Sequence, residues 1–77
     1  MTVEIITPER TLFEGPATSV TLPGADGSLG VLDRHAPMIT TLQKGTVKIK
    51  TDKSEENFEV NGGTVEVFNN RVMILAE

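Results

Sequence analysis

The chain has 77 residues, which is enough for one small domain, because a single hydrophobic core is usually built from about 50 to 200 residues. Hydrophobic residues make up 38% of the sequence and charged residues 23%, which is ordinary for a globular protein and argues against a wholly disordered chain. The formal net charge of −4 argues against electrostatic binding to nucleic acid or to an anionic lipid surface.

The composition favours β-strands over helices, because Val, Ile and Thr are abundant and Ala is sparse. Turn-forming residues divide the chain into segments that are too short for helices. The predicted strands, in chain order, are Val3–Thr7, Thr11–Glu14, Thr18–Leu22, Ser28–Leu32, Met38–Leu42, Gly45–Thr51, Glu56–Val60, Thr64–Phe68 and Arg71–Ala76. We therefore predict an all-β fold, a flattened antiparallel β-sandwich or barrel of about nine to ten short strands.

Two predicted hairpins have enough pattern to assign their faces. The first, within residues 45–60, alternates apolar and charged residues, as strands with one buried face do. Its apolar positions are predicted to face the core, and they are Val47, Ile49, Phe58 and Val60. Its charged positions are predicted to face water, and they are Lys48, Lys50 and Glu59.

The second hairpin closes the chain, with Asn69 and Asn70 as its two-residue turn. This turn would pair Phe68 with Arg71, Val67 with Val72, Glu66 with Met73, Val65 with Ile74 and Thr64 with Leu75. The core then receives Val65, Val67, Val72 and Ile74, and the opposite face receives the large apolar residues Phe68, Met73 and Leu75. Either the chain itself covers that face, through a loop, the Ile5-Ile6 pair or a different register, or a partner protein does.

Few residues in the sequence are suited to catalysis or metal binding. His35 is the one histidine, cysteine is absent, and no serine lies in a G-x-S-x-G motif. The glycine-rich segment Leu22–Gly30 lacks the Gly-Lys-Ser/Thr ending of a phosphate-binding loop. We therefore predict no enzyme activity, no cofactor and no metal site, and we expect His35 to hydrogen-bond local backbone in a turn before Ala36-Pro37.

An alternative assignment depends on Lys53. The segment Thr51-Asp52-Lys53-Ser54 resembles the Asp-Lys-Ala turn of lipoyl carrier domains, which are all-β and of similar length and carry the lipoyl group on that Lys. The turn predicted here is looser, because polar residues 55–57 still precede Phe58. A lipoyl-type carrier domain modified at Lys53 is kept as the alternative function.

A series of short motifs resembles a known family over nearly the whole chain. The motifs, in order, are Val3–Arg10, Leu12–Gly15, Leu22–Gly24, Gly27–Leu32, His35–Met38, Lys44-Gly45, Asn61-Gly62-Gly63 and Asn70–Ala76. In this order and at these separations they resemble the N-terminal β-sandwich domain of the epsilon subunit of the rotary, F-type ATP synthase.

The resemblance implies a non-catalytic rotor subunit that links the gamma subunit of the central stalk to the polar loops of the c-ring and couples rotation to ATP synthesis. It also implies a peripheral location on the cytoplasmic face of the bacterial inner membrane, without direct insertion and without a cofactor. The predicted c-ring contacts lie within Asp26–Met38 and are Asp26, Ser28, Leu29, Asp33, Arg34, His35 and Met38. Our own inference from the register assigns Phe68, Met73 and Leu75 to the gamma side.

The sequence departs from the family's pattern in two places. Members commonly have Pro-Gly or Pro-Asn before the His, whereas this chain has Asp33-Arg34, so the turn must form without proline's fixed φ or glycine's freedom. Members also commonly continue after the last strand into two helices that regulate ATP hydrolysis. We expect one domain over residues 1–77 without that helical hairpin, and no inhibitory control by it.

Overall fold

In a computed structural model that describes residues 1–77, every regular element is a β-strand. The strands are β1 (Thr2–Ile6), β2 (Thr11–Pro16), β3 (Ser19–Gly24), β4 (Gly27–Leu32), β5 (Met38–Leu42), β6 (Gly45–Lys50), β7 (Glu55–Val60), β8 (Gly63–Phe68) and β9 (Arg71–Ala76). The predicted all-β sandwich is confirmed, and the strand ends differ from prediction by one or two residues where they differ. The structure has no helix with the length and apolar character needed to cross a bilayer.

The strands form one continuous sheet that folds over on itself. Their order is β2-β1-β9-β8-β5-β3-β6-β7, and β4 is added to β3. The fold-over lies between β5 and β3, which pair only through Gly24 and Leu42. At the two ends of the order, Phe13 of β2 and Phe58 of β7 meet edge to face, with ring centroids 5.9 Å apart. We call β2, β1, β9, β8 and β5 the first layer, and β4, β3, β6 and β7 the second layer.

One strand pair departs from the antiparallel arrangement that we predicted. β1 and β9 run parallel, with Val3 opposite Val72 and Ile5 opposite Ile74. A tight hairpin can join only antiparallel strands, but β1 and β9 are the first and last strands and no tight turn joins them. The four apolar side chains of these pairs are all buried in the core.

The core contains 15 buried apolar residues, and no polar or charged side chain is buried. The face assignment of the hairpin formed by β6 and β7 is confirmed. Val47, Ile49 and Val60 are buried and Phe58 is half-buried. The charged positions Lys48, Lys50 and Glu59 are exposed.

The closing hairpin of β8 and β9 has the predicted turn and register. Asn69 and Asn70 have φ of 51° and 60°, as a type I′ turn requires at both central positions. All the predicted pairs, from Phe68–Arg71 to Thr64–Leu75, are present. The predicted core residues of this hairpin, Val65, Val67, Val72 and Ile74, are buried. A different register is therefore not the explanation for the apolar residues on the outer face.

β8 begins at a glycine that the packing requires. Gly63 has a φ of 140°, and a Cβ there would lie 2.1 Å from the carbonyl oxygen of Leu75. The close approach of β9 leaves no room for a side chain at this position.

Candidate functional site

The outer surface of the first layer is rich in apolar side chains. Ile39, Phe68 and Leu75 are 73%, 55% and 51% exposed, and Met73 and Ile6 beside them are half-buried. We call these five residues the apolar face. Because residues alternate between the two sides of a strand, they point away from the core that their sequence neighbours fill. The register places Leu75 between Ile6 and Thr64, and Glu66 between Met73 and Ile39.

The N-terminal strand does not cover this face. The hypothesis that the Ile5-Ile6 pair lies across the apolar face is wrong. Ile5 points into the core and is fully buried, whereas Ile6 lies beside Leu75 and belongs to the apolar face itself. The strand β1 therefore enlarges the exposed apolar surface.

Two open grooves adjoin the apolar face. One, of about 550 Å³, is lined by Ile39 and Phe68 together with Pro37 and Met38. The other, of about 530 Å³, includes Ile6 and Leu75 in its lining. Interface residues that contribute most to affinity are commonly buried in such concave places. The geometry is therefore suited to receive side chains of a partner protein.

The outer surface of the second layer is polar by comparison. Lys50 lies opposite Glu55, and Lys48 lies opposite Asn57. The Thr46 hydroxyl donates a hydrogen bond to the Glu59 carboxylate. The sandwich thus has one polar face and one apolar face, and the apolar one is the candidate for docking.

The predicted c-ring contacts follow the β4–loop–β5 side of the sandwich, in two groups. Asp26, Ser28, Leu29 and Met38 line a common groove of about 230 Å³. The other three, Asp33, Arg34 and His35, lie in the loop between β4 and β5 and do not line that groove. β4 pairs with β3 alone, so its second edge has no strand partner.

The loop after β4 forms its turn without proline or glycine. Arg34 adopts a left-handed φ of 64°, and its backbone N–H donates a hydrogen bond of 2.8 Å to Oδ1 of Asn70. His35 N–H donates to the Leu32 carbonyl, and His35 Nδ1 lies 2.7 Å from the Ala36 carbonyl oxygen. The prediction that His35 bonds local backbone is confirmed. Its role as a partner contact stays a prediction.

The N-terminal amine also contacts this loop. It lies 2.6 Å from Oδ1 of Asp33 and donates a second hydrogen bond of 3.1 Å to the Ala17 carbonyl. The loop is therefore connected both to the β8–β9 turn and to the start of β1. Sequence reasoning had no signal for either contact, because the partners lie more than thirty residues apart in the chain.

Lys53 is exposed at the tip of the hairpin formed by β6 and β7. The predicted strands leave a turn at residues 52–55, and the structure has a turn of the same length at residues 51–54, because Lys50 pairs with Glu55. The Thr51 hydroxyl closes it by accepting hydrogen bonds from the N–H groups of Lys53 and Ser54. The structure contains no group of three or more His, Cys, Asp or Glu residues arranged to hold a metal ion.

Sequence reasoning missed two members of the apolar face. Ile39 and Ile6 both lie in strands without a clear alternation, so their outward direction could not be assigned from the sequence. Only the pairing of β5 with β8 and of β1 with β9 shows that they join Phe68 and Leu75.

Comparison with known proteins gives consistent results. Residues 1–77 match the family described as ATP synthase, Delta/Epsilon chain, beta-sandwich domain. The ATP synthase epsilon chain of Symbiobacterium thermophilum is 45% identical over 78 residues, which cover 100% of this chain and 56% of that protein. The epsilon chain of Chlorobium limicola is 40% identical over 76 residues, which cover 97% of this chain and 86% of that protein. The chain thus spans little more than half the length of several relatives, for example 56% of the Symbiobacterium thermophilum protein.

The fold also matches a solved structure. A chain in the cryo-EM structure of the Tetrahymena thermophila mitochondrial ATP synthase, central stalk and c-ring, superposes with a TM-score of 0.85 at 22% sequence identity. The match covers 99% of this chain and 62% of that chain, and it shows a common fold. The resemblance found in the sequence is confirmed, and the chain belongs to the family of ATP synthase epsilon chains, of which it represents the N-terminal β-sandwich domain.

Proposed function

We propose that this domain is a non-catalytic rotor element that docks on the gamma subunit through the apolar face and on the c-ring loops through the β4–loop–β5 side. In that position it transmits rotation between the c-ring and the catalytic head. It is held at the cytoplasmic face of the bacterial membrane by the complex and needs no cofactor. The observation that carries the proposal is the uneven distribution of exposed apolar side chains: of the four large exposed ones, Ile39, Phe68 and Leu75 lie outside the first layer and only Leu32 lies on the second.

The apolar face supports the gamma assignment on energetic grounds. Full burial of a large apolar side chain contributes roughly 1.5 to 3 kcal/mol, and Ile39, Phe68 and Leu75 still have at least half of their surface to bury. A continuous sheet is also a stiff platform, which a part that transmits torque requires. The Tetrahymena chain of the same fold comes from a structure of the central stalk and c-ring, which is consistent with this arrangement.

A glycine on β4 supports the assignment of the c-ring side. A Cβ on Gly30 would meet no atom within 4 Å, and its φ lies outside the left-handed range, so the fold itself does not require glycine there. Glycine inside a strand costs roughly 0.5 to 1 kcal/mol relative to alanine. Such a glycine often marks a place where another backbone approaches closely.

Binding of purified gamma subunit to aspartate variants tests the proposal. Phe68→Asp and Leu75→Asp should each weaken gamma binding by roughly 2 kcal/mol, or about 30-fold, because a charge would be buried at the contact. Leu32→Asp is the matched control, since Leu32 is 65% exposed but lies on the second layer. Unchanged gamma affinity in folded, soluble Phe68 and Leu75 variants would reject the apolar face as the gamma contact.

The lipoyl-carrier alternative is set aside, because the family match assigns residues 1–77 to a different family. Intact mass after coexpression with a lipoylating enzyme tests this choice. We expect no added lipoyl group, and a lipoyl adduct on Lys53 would contradict the assignment.

A further inference from the structure

A row of glutamates crosses the apolar face. Glu4 and Glu14 lie directly opposite each other on β1 and β2. Glu4 and Glu66 lie on either side of Met73, one on each strand that flanks β9. The only ion pair in the structure joins the N-terminal amine to Asp33, so none of the three glutamates forms one. Arg71 is the one basic residue in the strands of the first layer, and it lines a groove with Glu66 and Met73 without pairing with either Glu66 or Glu4.

This arrangement is unfavourable within the domain itself. Directly opposed side chains on antiparallel strands have Cβ atoms about 4.5 to 5.5 Å apart, and like charges there destabilise the pair. The polar face shows the opposite arrangement, since Lys50 lies opposite Glu55. Like charges are therefore placed opposite each other beside the apolar face, whereas opposite charges are placed opposite each other on the polar face.

We infer that the glutamate row recognises Lys or Arg side chains on the partner segment that covers the apolar face. This inference rests on the function proposed above, in which that segment belongs to the gamma subunit. Phe68 lies on one side of the row and Leu75 on the other, so apolar partner residues are buried at the flanks and cations meet the carboxylates between them. Apolar flanks exclude water, which strengthens each such ion pair.

The spacing of the strands indicates how far apart the basic residues of the partner lie. Neighbouring strands lie about 4.8 Å apart, so Glu4 and Glu66, two strands apart, are separated by about 10 Å. Residues i and i+7 of an α-helix are also separated by about 10 Å along one face. A helix of the gamma subunit that crosses the strands would therefore reach both carboxylates with two basic residues seven positions apart.

The charges disfavour other occupants of this face. A second copy of the chain would bring an identical glutamate row against the first, and like charges across an interface suppress association. An anionic lipid surface or nucleic acid would meet the same repulsion, in addition to the net charge of −4.

The double variant Glu4→Gln/Glu14→Gln tests the inference through gamma binding at low and at high salt. At low salt we expect affinity to fall by about tenfold or more, mainly through slower association, and the salt dependence to become flatter. Glu66→Gln should change both quantities in the same direction. The isolated double variant should unfold at an equal or higher urea concentration than the parent, because the repulsion between the two strands is removed.

The matched control is Glu55→Gln/Glu59→Gln, which removes the same two charges from the polar face. Its gamma affinity and salt dependence should stay within about twofold of the parent. If the parent binds gamma and the Glu4/Glu14 variant binds equally tightly with the same salt dependence, the inference is wrong and the proposed function stands. If the control variant loses as much gamma affinity, the loss comes from the overall charge of the domain and not from the glutamate row, and the inference is also wrong. If the parent does not bind gamma, both the proposed function and the inference fail.

Discussion

At the scale of single residues, three non-glycine positions hold the turns at one end of the sandwich. Arg34, Asn69 and Asn70 all have left-handed φ, which costs most L-residues roughly 1 to 2 kcal/mol and costs asparagine less. Arg34 lacks that advantage, and its N–H instead donates to the Asn70 side chain. Asn70 therefore stabilises its own turn and the loop that contains His35.

Alanine substitutions at the two asparagines separate these roles. Asn69→Ala should cost about 1 kcal/mol of unfolding free energy through the left-handed conformation alone. Asn70→Ala should cost about 0.5 to 1 kcal/mol more, because the Arg34 N–H also loses its acceptor and only water can replace it. Urea unfolding measures both values, and amide exchange at Arg34 should accelerate in the Asn70 variant alone. Equal costs and equal exchange would show that the hydrogen bond contributes nothing.

The residue scale also shows where sequence-based prediction ends. The Asn69-Asn70 turn could be predicted because it lies between two alternating runs and both residues tolerate positive φ. The left-handed Arg34 could not, because nothing adjacent to it favours that conformation and its hydrogen-bond partner is 36 residues away. Arg34 is therefore among the predicted c-ring contacts, but its hydrogen bond to Asn70, which orients the loop, was not predicted.

At the scale of elements, hairpins were predictable and long-range pairs were not. The β8–β9 register follows from local alternation and a two-residue turn, and with it the outward direction of Phe68, Met73 and Leu75. The parallel pairing of β1 with β9 joins the two ends of the chain, so no local pattern specifies it. The glutamate row could not be predicted either, because Glu4 comes beside Met73 and Glu66 only through that pairing.

The closure of the sandwich at β2 and β7 is a second long-range feature. These strands end the strand order and do not pair with each other. Their contact is the half-buried pair Phe13 and Phe58, whose ring planes are inclined by 62°. An edge-to-face contact of this kind contributes about 0.5 to 1.5 kcal/mol beyond the area that it buries.

A double-mutant cycle with Phe13→Leu and Phe58→Leu measures this contact. Leucine keeps much of the apolar volume and removes the ring-to-ring interaction, so the coupling energy from urea unfolding should be about 0.5 to 1.5 kcal/mol. Phe68→Leu combined with Phe13→Leu is the control, since Phe68 lies on the apolar face, outside the sandwich. That control pair should be additive within about 0.5 kcal/mol. If the effects of Phe13→Leu and Phe58→Leu on the unfolding free energy also add, the ring-to-ring contact contributes nothing beyond the apolar area that the two side chains bury.

At the scale of the whole molecule, the sandwich presents three different surfaces from one core. The face of β6 and β7 is polar, with Lys50 opposite Glu55, the apolar face lacks a cover, and the β4–loop–β5 side has an unpaired strand edge. The sequence predicted the fold class and most of the apolar face, because both follow from alternation within strands. It could not predict that Asp26 and Met38 line one groove, since the chain between them passes through β4 and a loop.

If the two docking surfaces are separate, they should respond separately to mutation. Asp26→Lys/Ser28→Arg changes two exposed residues, one in the β3–β4 turn and one at the start of β4, that make no side-chain hydrogen bond and lie outside the apolar face. We expect gamma affinity within about twofold of the parent, because distant sites act additively. Binding of the gamma–epsilon complex to c-rings in lipid nanodiscs should weaken about tenfold, because bulky cations replace a carboxylate and a small hydroxyl at the contact.

Asp52→Lys/Ser54→Arg is the matched control for this experiment. It makes the same two changes at the same spacing in the β6–β7 turn, on the opposite side of the second layer from β4. Because that turn is outside both proposed contacts, gamma binding and c-ring binding should both stay at parental levels. A c-ring affinity that falls equally in both double variants would indicate a long-range charge effect, and one that falls in neither would remove the β3–β4 turn from the c-ring contact. A selective loss of c-ring binding in the Asp26 variant would support a c-ring contact at the β3–β4 turn that is separate from the gamma contact on the first layer.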